Sequence, residues 1–228
     1  NFNRKLMLVP EHTWGMDEKT HLDDHEAYDA VSFRRARGTP NFKKFESSWV
    51  EKRAYISNAL LALEESPLAA EARTRLELIR PQKPDLSGWQ KCDGTALQMQ
   101  NGCTALEFDP ATAEITLLRD LKTGQVWADG ESRLGSYAYQ TYSAEDYNRF
   151  IAQYILPSMQ NAGWVVEDFA KPGLEKANPL SKTWFSQVTA VYRGEARVLF
   201  HLEFAGEACQ RYGAPRDTWL TYMLDESG

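Results

Sequence analysis

The chain has 228 residues, of which 43% are hydrophobic, and this supplies enough apolar material for a sizeable core in one domain or two. Charged residues make up 25% and the net charge is −6, which argues against nucleic acid as a main partner and favours solubility. No apolar run reaches the roughly 18 residues that a membrane span requires. The three cysteines form no CxxC motif, which argues against a disulfide scaffold or a cysteine–zinc site and favours a reducing, cytoplasmic compartment.

The first part of the chain predicts helices. Thr39-Pro40 is an N-cap followed by proline at the first helical position. An apolar stripe of helical period follows it, made of Phe45, Trp49, Ile56, Leu60 and Leu63. Ser66-Pro67 begins a second helix that Pro81 ends, so the two helices are expected to form an antiparallel hairpin. Residues 23–37 predict a third, less regular helix.

After the prolines at 81–84 the signals become those of strands. The predicted strands are residues 95–99, 103–108, 114–118, 125–127, 137–142, 183–192, 196–204 and 219–224. Arg193-Gly194-Glu195 joins two of them in a hairpin, and a capping-box pair, Ser143 and Asp146, begins one inserted helix. The sequence therefore predicts an α+β fold, with a helical domain over residues 1–80 and an antiparallel β-sandwich-like domain over residues 85–228.

The segment from Leu8 to Asp17 carries the most useful set of side chains for chemistry. A short apolar run leads there into two carboxylates, an imidazole, an indole and a glycine, namely Glu11, His12, Trp14, Gly15 and Asp17. His12 is a candidate zinc ligand, and Glu11 or Asp17 is a candidate carboxylate that fixes its tautomer. Trp14 is a candidate wall against a sugar ring. The alternative is a strand-to-loop turn with a buried, hydrogen-bonded histidine.

Other motifs give weaker signals. His21 and His25 are four residues apart and would share a helix face as a second metal pair, although two surface histidines beside acidic residues also explain the spacing. His201 lies in an alternating strand and is interpreted as structural. Residues 168–174 predict either a loop that edges a cleft or an ordinary ordered loop. The sequence has no P-loop, GxGxxG or GxSxG motif, so phosphate-binding and serine-hydrolase functions find no support.

Three stretches occur in an order that suggests a family. They are Glu11 to Gly15, the Trp-x-x-Lys pattern within Ser48 to Tyr55, and a hairpin pattern over residues 104–124. Together they resemble the late histidine motif, the following helix and the opening β-sandwich hairpin of bacterial proteins related to glycoside hydrolase family 38, the zinc-dependent α-mannosidases. The resemblance covers residues 6 to about 130, and the chain has Glu-His-Thr where the family usually has His-His-Asp.

The resemblance implies that this chain is an internal part of a retaining, zinc-dependent hydrolase of α-linked sugars. His12 would be the late zinc ligand, and Glu11, Trp14 and Asp17 would contact the carbohydrate substrate. The early His-x-Asp ligands and the aspartate nucleophile would lie upstream of residue 1, so the isolated chain is expected to be inactive and to bind zinc weakly. Residues 1–80 would then hold the end of the catalytic domain and the helical bundle.

A second interpretation involves no catalysis. The β region would be a carbohydrate-binding module that stacks sugars on its aromatic side chains, which are Trp127, Tyr137, Tyr139 and Trp184. A third interpretation is a structural domain without a ligand. The exposure of these side chains distinguishes the carbohydrate-binding module from the structural domain, because aromatic side chains that are all buried offer no surface for a sugar.

Overall fold

The computed structural model describes residues 1–10, 15–22, 24–63, 66–95 and 97–225, which form two compact units. The helical unit consists of residues 1–82 and 144–178, and the β unit consists of residues 83–143 and 179–228. The sequence assigned residues 144–178 to the β domain, whereas the structure groups them with the N-terminal helices. The α+β fold class, with a helical N-terminus followed by antiparallel sheets, is confirmed.

The helical unit is built from short helices around one long helix. They are α1 (Phe2–Leu6), α2 (Glu18–His21), α3 (Ala30–Ala36), α4 (Pro40–Leu61), α5 (Leu68–Leu78), α6 (Ala144–Tyr154), α7 (Gly163–Phe169) and a 3₁₀ helix (Leu174–Ala177). Thr39 caps α4 as predicted, because its hydroxyl oxygen accepts a hydrogen bond from the Phe42 N–H. Phe33 of α3 meets Phe42 edge to face, with ring centroids 5.9 Å apart, so α3 packs on the start of α4.

A carboxylate fixes the start of α3. Asp29 accepts hydrogen bonds from the backbone N–H groups of Val31 and Ser32, at 2.8 Å and 3.0 Å. Hydrogen bonds from the Ser32 hydroxyl and from these backbone groups lower the pKa of Asp29 to about 2. The carboxylate is therefore ionised at neutral pH and satisfies backbone donors that the first turn of a helix leaves open.

The β unit contains two four-stranded antiparallel sheets and a two-stranded ribbon. Its strands are β1 (Gln90–Cys92), β2 (Gln98–Gln100), β3 (Thr104–Phe108), β4 (Ile115–Asp120), β5 (Val126–Ala128), β6 (Ala138–Thr141), β7 (Lys182–Phe185), β8 (Gln187–Gly194), β9 (Arg197–Glu203) and β10 (Thr218–Met223). The strand orders are β1-β8-β9-β10, β2-β3-β4-β5 and β6-β7, and α8 (Gly206–Tyr212) connects β9 to β10. The predicted hairpin after Arg193 is confirmed, since Gly194 pairs with Arg197.

The two four-stranded sheets share one hydrophobic core. Leu106 and Phe108 of β3 enter it from one sheet, and Val198, Phe200 and Leu202 of β9 enter it from the other. These alternate residues of β9 lie on one face, because successive side chains of a strand point to opposite sides. The β unit is therefore a sandwich, and the side chains between these core residues belong to the opposite face of their sheet.

The predicted strand over residues 183–192 is divided between two sheets. β7 pairs with β6, and β8 pairs with β9. Ser186 lies between β7 and β8 and is buried, and its N–H and hydroxyl both donate to the carbonyl oxygen of Tyr137, at 3.2 Å and 3.0 Å. These two bonds pair the N–H and the hydroxyl of buried Ser186 at the point where the chain passes from one sheet to the next.

Two further features bear on the environment of the chain. Cys92, Cys103 and Cys209 are free thiols, so the fold contains no disulfide, as the sequence predicted. Within the described ranges, no helix combines the length and the apolar composition needed to cross a membrane.

Candidate functional site

Of the predicted segment from Leu8 to Asp17, the structure describes residues 8–10 and 15–17, and Glu11, His12 and Trp14 lie outside the described residues. Gly15 adopts φ +104°, and a Cβ placed on it would lie 2.9 Å from Cδ1 of Trp49. A side chain at this position would therefore collide with the indole of Trp49 on α4. Glycine is required here both by the positive φ and by this close approach. The segment that follows His12 thus rests directly on the Trp-x-x-Lys helix.

A hydrogen bond fixes this contact. The backbone N–H of Met16 donates to Oγ of Ser48, at 3.1 Å, and the Ser48 hydroxyl donates to the carbonyl oxygen of Phe45, at 2.6 Å. Ser48 is buried, so its hydroxyl has both a donor and an acceptor in place of water. Gly15, the last residue of the first stretch that carries the family resemblance, is therefore adjacent in space to the second stretch.

Asp17 has a local structural role. Its carboxylate accepts a hydrogen bond from the Thr20 N–H, at 3.1 Å, and so caps α2. An ionised carboxylate at this position also interacts favourably with the positive end of the helix dipole. Asp17, the one predicted substrate-binding residue among those described, is thus held in a fixed place close behind Gly15.

Tyr28 lies where the N-terminal segment approaches the 3₁₀ helix. A Cβ on Gly173, which adopts φ +83°, would lie 2.7 Å from the carbonyl oxygen of His25 and 3.9 Å from Cε2 of Tyr28. Burial raises the pKa of the Tyr28 hydroxyl above its ordinary value, and the carboxylates of Asp24 and Glu175 raise it further. Tyr28 is therefore protonated at neutral pH and able to donate a hydrogen bond in an acidic setting.

The His21 and His25 pair does not form on one helix face. α2 ends at His21, and His25 lies in the loop beyond it. Asp24 forms a turn in this loop, because its carboxylate accepts hydrogen bonds from the N–H groups of Glu26 and Ala27, at 3.1 Å and 2.8 Å. This Asx-type turn is a local alternative to continuing the helix, and it explains why the spacing of four residues is misleading here.

A comparison with known proteins adds a family. The model of a family described as Domain of unknown function (DUF5054) matches residues 1–228. The chain belongs to this family. No curated protein matches the chain. Because the match spans both the helical unit and the β unit, the DUF5054 domain includes the two together.

The aromatic side chains of the second interpretation divide into exposed and buried ones. Trp127 of this DUF5054 chain is 63% exposed, and Tyr137 is also exposed. Trp184 is only 5% exposed, and its indole N–H donates to Oγ1 of Thr141, at 3.1 Å. Tyr139 is half-buried, and its hydroxyl donates to the carbonyl oxygen of Tyr212, at 2.6 Å. Trp184 and Tyr139 therefore serve the fold, and only Trp127 and Tyr137 offer a surface to a sugar.

The structure also shows a polar cluster that the sequence did not indicate. His201, Glu203 and Asp217 offer ligand atoms that all lie within 4.8 Å of one another. A hydrogen bond from His201 lowers the pKa of Asp217, and the charge of Lys83 lowers it further. The alternation of apolar and polar residues along β9 predicts on which face of the strand His201 lies. The position of Asp217 beside it depends on the pairing of β9 with β10, for which the sequence has no local signal.

Proposed function

We propose that this DUF5054 chain is part of a retaining, zinc-dependent glycoside hydrolase that acts on α-linked sugars, as the α-mannosidases do. The observation that supports the proposal is the contact of Gly15 and Met16 with Ser48 and Trp49. The segment after His12 is held against the helix that follows it in the resembling family. A fixed residue next to a ligand is of use to a metal site, because binding geometry depends on an ordered support.

The residues of this chain fit the role of a single late ligand. His12 would supply one imidazole, whereas the carboxylate of Asp17 caps α2 and that of Asp24 accepts from backbone N–H groups in a turn. Zinc needs three or four ligands, so the others would come from the upstream part of the intact protein. When bound, zinc would orient the sugar through its hydroxyl groups.

The side chains of this chain would then position the substrate. Trp14 would stack against the apolar face of a sugar ring, and Glu11 and Asp17 would accept hydrogen bonds from sugar hydroxyls. Such contacts raise the rate when they hold the anomeric carbon in line with the upstream aspartate nucleophile. On this proposal the nucleophile lies outside residues 1–228, so the isolated chain is expected to be inactive.

The test uses the intact protein that carries this chain. The change His12→Ala is expected to remove one equivalent of zinc and to abolish the hydrolysis of aryl α-mannosides, because the metal loses an imidazole ligand. Metal analysis and initial rates measure both effects. The control is His25→Ala, which removes an exposed imidazole from the loop after α2 and should change neither. An intact protein that contains zinc and hydrolyses the substrate equally well without His12 would contradict the proposal.

A non-catalytic sugar-binding role for the β unit is the second candidate, and the exposure of Trp127 favours it. In this case Trp127→Ala should weaken binding of an α-mannan oligosaccharide by about fivefold, since stacking on an aromatic ring contributes roughly 1 kcal/mol. Isothermal titration calorimetry measures the change. The matched control is Tyr154→Ala, which removes an exposed aromatic ring from α6. Binding that depends on His12 and not on Trp127 would exclude this role.

A further inference from the structure

The outer face of one sheet of the sandwich carries an ordered histidine. Val198, Phe200 and Leu202 of β9 fill the core, so His201 lies on the opposite face. The side chain of His201 is nevertheless only 16% exposed. Trp219 of β10, its cross-strand partner, covers it, with ring centroids 4.3 Å apart and planes inclined by 23°. The imidazole plane is therefore fixed by a stacked indole.

Both ring nitrogens of His201 have partners. Nε2 lies 2.9 Å from Oδ1 of Asp217, and Nδ1 lies 2.7 Å from Oγ1 of Thr189. Thr189 occupies an irregularity in β8, between Val188 and Ala190, where the strand register shifts. Such a bulge re-aims one side chain, and bulges of this kind are common beside functional sites.

These contacts can become those of a metal-binding imidazole. Without a metal, the ionised carboxylate of Asp217 can only accept, so Nε2–H donates to its Oδ1 and the Thr189 hydroxyl donates to Nδ1. A metal cation can replace the proton on Nε2. Nδ1–H would then donate to Oγ1 of Thr189, and the Thr189 hydroxyl would donate to the carbonyl oxygen of His201, which lies 3.3 Å away. Metal-bound histidines usually donate their other N–H in this way.

Glu203 supplies a third ligand on the same face. It lies two residues after His201 on β9, and one of its carboxylate oxygens lies within 4.8 Å of the ligand atoms of His201 and Asp217. The Glu203 side chain is 51% exposed and free to rotate toward a cation. One imidazole and two carboxylates form a ligand set of the kind that binds zinc with a position left for water. The positive charges of Lys83 and Arg216 near Asp217 moderate the affinity.

The indole of Trp219 is stacked on the imidazole although one of its polar groups is left unpaired. Its Nε1–H is buried and has no hydrogen-bond partner among the described residues. A buried, unpaired N–H group costs free energy. Trp219 thus keeps its stacked position on His201, with ring centroids 4.3 Å apart, in spite of that cost.

We propose that His201, Glu203 and Asp217 form a binding site for a divalent transition-metal ion on the outer face of the β sandwich, with Thr189 and Trp219 orienting the imidazole. The site lies in the β unit and is independent of the zinc role proposed for His12. Imidazole and carboxylate ligands suit zinc and its neighbours in the transition series, whereas calcium prefers oxygen ligands alone.

The experiment uses the full chain with the change His12→Ala, so that the two metal questions are separated. Zinc is titrated against a chelating dye at pH 7.5, and one equivalent is expected to bind with micromolar affinity. Asp217→Asn should remove this binding, and Thr189→Val should weaken it by about tenfold, because partners of a ligand typically contribute that much. His25→Ala and Glu195→Gln, which alter exposed groups elsewhere, should leave it unchanged.

Cobalt provides a second readout of the same site. Visible absorption bands of Co²⁺ are expected in the His12→Ala chain and should disappear with Asp217→Asn. Asp217 is an exposed carboxylate outside the hydrophobic core, so this variant should fold like its parent, as circular dichroism would show. The proposal is overturned if the His12→Ala chain binds no zinc, or if Asp217→Asn binds zinc as tightly as its parent.

Discussion

Phe200→Ala is expected to lower the free energy of unfolding of the β unit by about 4 kcal/mol. Phe200 is fully buried at the centre of the sandwich, and its ring lies 5.7 Å from that of Phe108 and 6.0 Å from that of Tyr222. Truncation removes contacts with both sheets and leaves a cavity that three strands cannot collapse to fill. Chemical denaturation followed by circular dichroism measures the change.

The matched control for this prediction is Phe185→Ala. Phe185 belongs to β7 and is 61% exposed, so its truncation should cost about 0.5 kcal/mol or less. The same atoms are removed in both variants, and the difference between them isolates the contribution of burial in the core. Equal losses of stability in the two variants would show that the sandwich core does not hold the β unit together.

The sequence was informative wherever structure follows from neighbouring residues. The start of α4 depends on the side chain of Thr39 and the fixed φ of Pro40, and both effects act within one turn of helix. The hairpin of β8 and β9 depends on a glycine turn between two apolar runs, and it also formed as predicted. These elements have local causes, so periodicity and capping were sufficient to find them.

The sequence was uninformative where structure depends on distant partners. Nothing near α6 indicates that it belongs with the helices before residue 82, because that association depends on tertiary packing. The passage from β7 to β8 at Ser186 depends on the carbonyl of Tyr137, which is 49 residues away. A continuous run of strand-forming residues therefore predicted one strand where the structure has two.

The same distinction applies to the two candidate sites. The segment from Glu11 to Asp17 is recognisable in the sequence because its functional side chains are close together along the chain. One of them, Asp17, also caps a helix. His201, Thr189 and Asp217 are separated by 12 and 16 residues and meet only through strand register. Composition and spacing favour sites of the first kind, so a cluster assembled by a sheet is found only once its register is known.

Gly173→Ala is expected to destabilise the helical unit by about 3 kcal/mol and to displace the loop before the 3₁₀ helix. Gly173 adopts φ +83°, and an added Cβ would lie 2.7 Å from the carbonyl oxygen of His25. The obstructing atom belongs to the backbone and cannot turn aside like a flexible side chain. Because the displacement exposes Tyr28, the raised pKa of its hydroxyl should fall toward the ordinary value, which NMR titration measures.

Two control variants separate backbone strain from collision. Gly124 adopts φ +77° with nothing within 4 Å of an added Cβ, so Gly124→Ala should cost only about 1 kcal/mol. Gly163 has an equally open surrounding and begins α7 without a positive φ, so Gly163→Ala should be neutral or slightly stabilising. If Gly173→Ala cost no more than Gly124→Ala and left the pKa of Tyr28 unchanged, the 3₁₀ segment would not be packed against the loop at His25.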